Sequence, residues 1–117
     1  MLQIELDDHD GHTICRPIGD VDASSVSLFR QVLAEIAVGP LLVIDMSRVY
    51  FLDSAGLAAL IGGIRRARER GGDVAIACER PRLSRLLRLV GVDRIVTVAD
   101  DVSTAVAALA VSAVTAR

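Results

Sequence analysis

Leu2, Ile4 and Leu6 alternate with Gln3, Glu5 and Asp7, the period-two pattern of a strand with one face buried. DHDG at residues 8–11 forms a turn, and HTICRPI at 12–18 reads as a second strand, so the chain opens with a hairpin. Pro17 lacks a backbone donor and suits an edge or strand-end position. From Asp22 the period changes. Val26, Phe29, Leu33 and Ile36 recur at helical spacing, with Asp22 or Ser24 available as the N-cap and Gly39-Pro40 as the stop.

LLVID at 41–45 is a continuous apolar run, as expected of a strand covered on both faces. A helix follows, with Leu57, Leu60, Ile61 and Ile64 as its apolar stripe, arginines crowding its last turns and Gly71-Gly72 at its end. VAIAC at 74–78 is a further buried strand. Pro81 suits a first helical position, Leu83, Leu86, Leu87 and Val90 form another stripe, and Gly91 stops it. IVTV at 95–98 is a short strand, and Asp100 or Asp101 caps a last helix carrying Val102, Ala105, Val106 and Leu109. The tail from about residue 111 is expected to fray. Strands and helices that alternate over short connections imply right-handed crossovers. The expectation is a single α/β domain over residues 1–117, with a mixed, mostly parallel sheet of about five strands and about four helices.

Composition narrows the classes. Hydrophobic residues make up 52% of the chain but only three residues are aromatic, so the core is aliphatic. The net charge of −2 comes from interspersed acids and bases, without the basic stripe of a nucleic-acid binder. There is no lysine. The acidic, alternating N-terminus is unlike a signal peptide, and no apolar run reaches membrane-spanning length. Cys15 and Cys78 lack metal-ligand spacing and read as buried thiols in a reducing cytoplasm, with a disulfide between neighbouring strands left open by spacing alone. No cofactor or metal is expected.

The stretch YFLDSAGLAAL at 50–60 raises the question of function. Ser54 stands at or near a helix N-terminus, where serine is a favoured cap worth roughly 1 kcal/mol over alanine. At 100° per residue, Ala55, Ala58, Ala59 and Gly62 fall opposite the Leu57–Ile61 stripe, which predicts a small, smooth, uncharged outward face. Gly62-Gly63 within the helix costs on the order of 1 kcal/mol per glycine relative to alanine, where a helix selected only for stability carries Glu, Lys or Gln. Such a face admits a second surface at close range, unless a neighbouring segment of the same chain covers it.

Hydrolytic chemistry fits poorly. A nucleophilic serine needs a base and an oxyanion site, but the only histidines, His9 and His12, flank the hairpin turn and the G-x-S-x-G elbow is absent. Helix amides suit a bound or covalent phosphate, but no P-loop pattern is present. Asp45 ends an apolar strand like the phosphate acceptor of a two-component receiver, but that site also needs a lysine. Asp45 therefore reads as a strand-end residue bonding nearby backbone.

LLVIDMSRVYFLDSAGLAALIGGIRRARERGGDVAIACERPRLSRLLRLVGV resembles the STAS domain, in particular bacterial anti-sigma factor antagonists. The matching features are the apolar strand, then Asp53-Ser54-Ala55-Gly56-Leu57, Gly71-Gly72, Leu86-Leu87 and Gly91-Val92. IGDVDASSV at 18–26 is similar to the segment before the first helix of that family, with Asp20 where Glu is usual. The resemblance covers essentially the whole chain.

What the resemblance implies is a partner switch without catalysis. An anti-sigma factor that is a serine kinase of the histidine-kinase-like ATPase fold binds the unphosphorylated antagonist, phosphorylates the serine matching Ser54 and is released. A serine phosphatase reverses the modification. Asp22, Asp53, Ala55, Gly56, Ala58, Ala59 and Gly62 are then the expected partner-facing residues around Ser54. The alternatives are a STAS subunit with another partner, such as a lipid-transport ABC complex or a stress-signalling scaffold, and a ligand binder or enzyme on this fold.

Overall fold

A computed structural model of the chain describes residues 1–36 and 41–115, with side chains described to residue 110. The elements run β1 (Gln3–His9), β2 (His12–Val21), α1 (Val26–Ile36), β3 (Leu41–Asp45), β4 (Val49–Leu52), α2 (Ser54–Glu69), β5 (Asp73–Ala77), α3 (Pro81–Leu89), a single 3-10 turn (Val92–Arg94), β6 (Thr97–Ala99) and α4 (Val102–Thr115). The sheet order is β1-β2-β3-β5-β6, with β4 attached to β2. β1 is antiparallel to β2 and every other pair is parallel. This is the expected mixed, mostly parallel sheet with four helices, and it has one strand more than the sequence pattern indicated. The proposed Gly39-Pro40 stop of α1 lies outside the described residues. The tail continues as helix to Thr115, beyond which residues 116–117 lie outside them too.

The extra strand is β4. β2 pairs with β3 through Thr13–Cys15, then runs past the end of β3 and pairs with β4 through Gly19–Val21, with a register shift between Gly19 and Asp20. Pro17 lies inside β2, opposite Ile4 of β1, and not at the edge or strand end expected from the sequence. It is tolerated because it falls in the gap between the pairings with β3 and β4, where its missing donor is not needed.

Alternation along the central strands divides the core between the two sheet faces. Cys15, Leu42, Ile44, Val74 and Ile76 meet α1, α2 and α3 through Phe29, Leu33, Leu60, Ile64 and Leu87. Ile14, Val43, Ala75, Ala77 and Ala99 meet α4 through Ala105 and Leu109. Gly71 and Gly91 adopt φ of +84° and +87°, the left-handed conformation that ends α2 and α3 where the sequence placed their stops.

One ion pair ties the hairpin to the sheet. Arg16 Nε donates to Asp45 Oδ2 at 3.0 Å, and its Nη1 reaches Glu5 at 3.3 Å and Asp7 at 3.4 Å. Asp45 Oδ1 also accepts the Ser47 N–H at 3.0 Å, so this buried carboxylate is the strand-end residue the sequence suggested. The carboxylates raise the Arg16 pKa, Asp45 foremost, and keep the guanidinium charged. Cys15 and Cys78 are both free thiols. They lie on β2 and just past β5, the two strands that flank β3, a separation of at least about 9–10 Å at ordinary strand spacing. A disulfide needs Cα atoms within roughly 7 Å, so this geometry rules out the disulfide that spacing had left open.

Candidate functional site at the start of helix α2

The site forms where β4 hands over to α2. The cap of α2 is Asp53, not Ser54: Asp53 is extended, at φ −97° and ψ −174°, and its Oδ1 accepts the Gly56 N–H at 2.9 Å. Its other oxygen, Oδ2, accepts the Ala23 N–H at 3.1 Å. The Asp53 N–H donates to the Val21 carbonyl at 3.3 Å. One residue thus starts α2 and fastens it to the loop between β2 and α1.

Because Asp53 does the capping, Ser54 is the first helical residue and is exposed. Among the described residues no hydrogen bond engages its hydroxyl. Ser54 thus stands at the helix N-terminus, as the sequence indicated, but the capping role falls to Asp53. Aspartate is as good a cap as serine and the extended backbone places it there, leaving the hydroxyl on the outside.

The loop at Ala23 is organised by Asp22. Its Oδ1 accepts the Ser24 N–H at 3.0 Å, the Ser25 N–H at 3.2 Å and the Ser24 hydroxyl at 2.6 Å. These donors lower the Asp22 pKa below its ordinary value, the Ser24 hydroxyl foremost, so the loop carries a firm negative charge. Ser25 Oγ donates to the Asp20 carbonyl at 2.8 Å, and Asp20 is in register with Phe51 on β4. Asp20, Asp22 and Asp53 therefore gather at the strand ends beside Ser54.

The face of α2 differs from the expected one. Gly56 and Ala59 are buried, with Leu60, Gly63, Ile64 and Ala67, whereas Leu57 and Ile61 are only half-buried. The inward direction is turned by roughly a quarter-turn from the leucine–isoleucine stripe. The cause is close packing. A Cβ on Gly56 would strike the Val21 carbonyl oxygen and fall 2.7 Å from Leu52 Cδ1, and one on Gly63 would fall 2.8 Å from Leu33 Cδ1. The small residues thus let α2 approach the sheet and α1, and the inward placement of Gly56 and Ala59 removes them from the outward face. Ala58 is exposed, Ala55 and Gly62 are half-exposed, and a Cβ on Gly62 would meet nothing within 4 Å. The outward patch is Ser54, Ala55, Ala58 and Gly62, flanked by Leu57 and Ile61. Its neighbours Tyr50 and Phe51 are exposed on β4, a strand whose inside–outside pattern lacks the period-two signal that sequence reasoning relies on.

No histidine reaches this site. His9 and His12 stack at 4.8 Å across the hairpin turn, and the nine steps of β2 from His12 to Val21 set them about 30 Å from the strand end. Among the described residues no group of three or more His, Cys, Asp or Glu has the arrangement to hold a metal ion, and no helix is long and apolar enough to cross a membrane.

With this geometry described, comparison with known proteins is decisive. A model of the STAS domain matches residues 3–105. The chain belongs to the STAS domain family. A curated relative, the anti-sigma F factor antagonist of Paenibacillus polymyxa, is 28% identical over 103 residues, covering 86% of this chain and 88% of that protein. The crystal structure of an anti-sigma factor antagonist from Mycobacterium paratuberculosis superposes with a TM-score of 0.85 at 25% identity, over 93% of this chain and 94% of that one. The Bacillus cell fate determinant SpoIIAA in its phosphorylated form shares the fold, with a TM-score of 0.65 at 17% identity over 83% of this chain and 91% of its own. The STAS fold anticipated from the sequence is the fold observed.

Proposed function

We propose that this protein is an anti-sigma factor antagonist of the cytoplasm, switched by phosphorylation of Ser54. Its partner in this reading is an anti-sigma factor with a serine kinase of the histidine-kinase-like ATPase fold, and a serine phosphatase reverses the modification. The chain itself catalyses nothing, binds no nucleic acid and inserts in no membrane. The observation that carries the reading is the division of labour between Asp53 and Ser54. The carboxylate secures the helix start while the hydroxyl, on the next residue, stays exposed beside the Ala55–Ala58–Gly62 patch. The names of the relatives support the sigma-factor setting over a lipid-transport ABC complex or a stress-signalling scaffold.

The switch follows from electrostatics. A phosphate adds about −1.5 to −2 charge at neutral pH. The free amides at the start of α2 stabilise that charge, so the fold survives. The next cation on the same face of the helix is Arg65, eleven residues on and about 16 Å away. The phosphate therefore joins Asp20, Asp22 and Asp53 in an acidic cluster with no cation of α2 beside it. A partner packed on a neutral, smooth patch would then bury charge without a cation, a penalty of several kcal/mol and enough to move a complex from bound to free.

The test is incubation of the protein with candidate anti-sigma kinases and ATP, followed by peptide mass spectrometry and titration calorimetry. The expected result is phosphate on Ser54 alone, binding retained by Ser54→Ala and lost by Ser54→Asp, with all three proteins folded. If Ser54→Asp binds as tightly as wild type, the switch is refuted.

A further inference from the structure

Two of the three aromatic residues in this chain, Tyr50 and Phe51, are exposed next to each other, at 61% and 53%. They sit on β4, which among the described residues pairs with β2 alone. An adjacent exposed aromatic pair in a chain this poor in aromatics is not needed for the core, which is built from aliphatic residues and Phe29. Beside the pair, between β4 and the start of α3, lies a cleft of about 280 Å³. Its floor is aliphatic, from Val49, Leu52, Leu83 and Leu86, and its rim carries Arg80 and Arg82.

The rim is prepared for a contact. The Arg80 guanidinium lies 4.7 Å from the centre of the Tyr50 ring, which holds the charge over the cleft instead of leaving it free in solvent. Arg80 and Arg82 have no carboxylate within ion-pair distance among the described residues, and no acid lines the cleft. Aromatic and arginine side chains around an apolar floor are the composition of the energetic centre of protein–protein interfaces. The cleft is also continuous with the Ser54 site: Leu52 lines it and packs against Gly56, and Phe51 stands three residues before the serine.

We infer that this cleft is the second contact of the partner that reads Ser54, and that it receives a segment of that partner bearing an apolar side chain flanked by carboxylates. The identity of the partner rests on the reading under Proposed function; the chemistry of the cleft does not. The two contacts have opposite sign, acidic at Asp20, Asp22 and Asp53 and basic at Arg80 and Arg82. A partner must match both, which fixes its orientation on the strand ends. Anchoring at the cleft leaves the serine under the neutral part of the interface, where one phosphate has most effect.

The experiment uses the full chain and a purified anti-sigma factor kinase that binds it, with affinities measured by calorimetry at two salt concentrations. Tyr50→Ala and Arg82→Glu are each expected to weaken binding by about 10-fold or more. Arg82→Glu is also expected to flatten the loss of affinity with salt seen for wild type. Arg88→Glu, on α3 but outside the cleft, is expected to bind as wild type does. Both test positions are exposed, and melting curves matching wild type verify that the variants fold. If Tyr50→Ala and Arg82→Glu bind within about twofold of wild type while Ser54→Asp does not bind, the contact ends at the serine and the cleft proposal is overturned. If instead Ser54→Asp binds normally and the cleft variants are weak, the cleft proposal stands and the serine switch falls.

Discussion

The carboxylate of Asp53 holds the backbone of Ala23: Oδ2 accepts that N–H at 3.1 Å while Oδ1 caps Gly56 at 2.9 Å. The two oxygens join elements thirty residues apart in sequence, so the position of Ser54 relative to the Asp22 loop is set by one side chain. Asp53→Ala removes both bonds and is expected to lower unfolding free energy by about 1–2 kcal/mol in urea titration. Asp53→Asn keeps an acceptor for Gly56 but has only an amide where Ala23 needs the second. Its loss should fall between wild type and alanine. Equal losses for the two variants would mean that the cap at Gly56 contributes nothing.

The glycines of α2 separate its two faces. Gly56→Ala drives a methyl into the Val21 carbonyl and Leu52. It should destabilise by about 1–3 kcal/mol, and by more if α2 must shift. Gly62→Ala meets open space and should stabilise by up to about 1 kcal/mol through helix propensity. Paired thermal melts decide the matter. Destabilisation by Gly62→Ala would mean that the outward patch is already covered.

The Arg16–Asp45 pair is partly exposed on the arginine side, at 23%, and buried on the aspartate side. Arg16→Met leaves the Asp45 carboxylate with the Ser47 N–H but no cation, and is expected to lose about 1–3 kcal/mol, the lower end reflecting solvent access at Arg16. Glu5→Gln and Asp7→Asn, on the exposed side of the same arginine, should each change stability by less than about 0.5 kcal/mol. Denaturant midpoints of the three variants test the ranking.

Burial pushes the Cys15 thiol up from 9.0 to about 12, and raises Cys78 too. A thiol harder to ionise folded than unfolded contributes stability that is fully present below pH 9 and lost as pH climbs from there towards 12. Native protein at pH 8 should resist thiol alkylation that is complete in denaturant, and its stability should fall from about pH 9 upward, less steeply in Cys15→Ala. Rapid alkylation of the native protein would show that the thiols are accessible.

Much of this was legible in the sequence because the driving patterns are local. The opening hairpin, the buried runs at 41–45 and 74–78 and the stops at Gly71 and Gly91 stand in the structure where periodicity and backbone freedom put them, whereas Leu6, placed by alternation on the buried face of β1, is exposed. Two features were not legible. β4 shows neither period two nor a buried run: Val49 and Leu52 are inside and Tyr50 and Phe51 outside, because its register with β2 is interrupted at Gly19–Asp20. The face of α2 does not follow its large residues, because close approach to Val21 and Leu33 selects Gly56 and Gly63 for the inward side. Hydrophobicity indicates what prefers burial; it does not report the distance between two backbones.

Since the helix start is secured by Asp53, position 54 is free of structural duty. Threonine, alanine or aspartate can stand there without unfolding the domain, and under the proposed switch these would give a regulated protein, one always available to its target, or one permanently silent. The proposed control could thus be acquired or discarded in a single codon change while the scaffold persists.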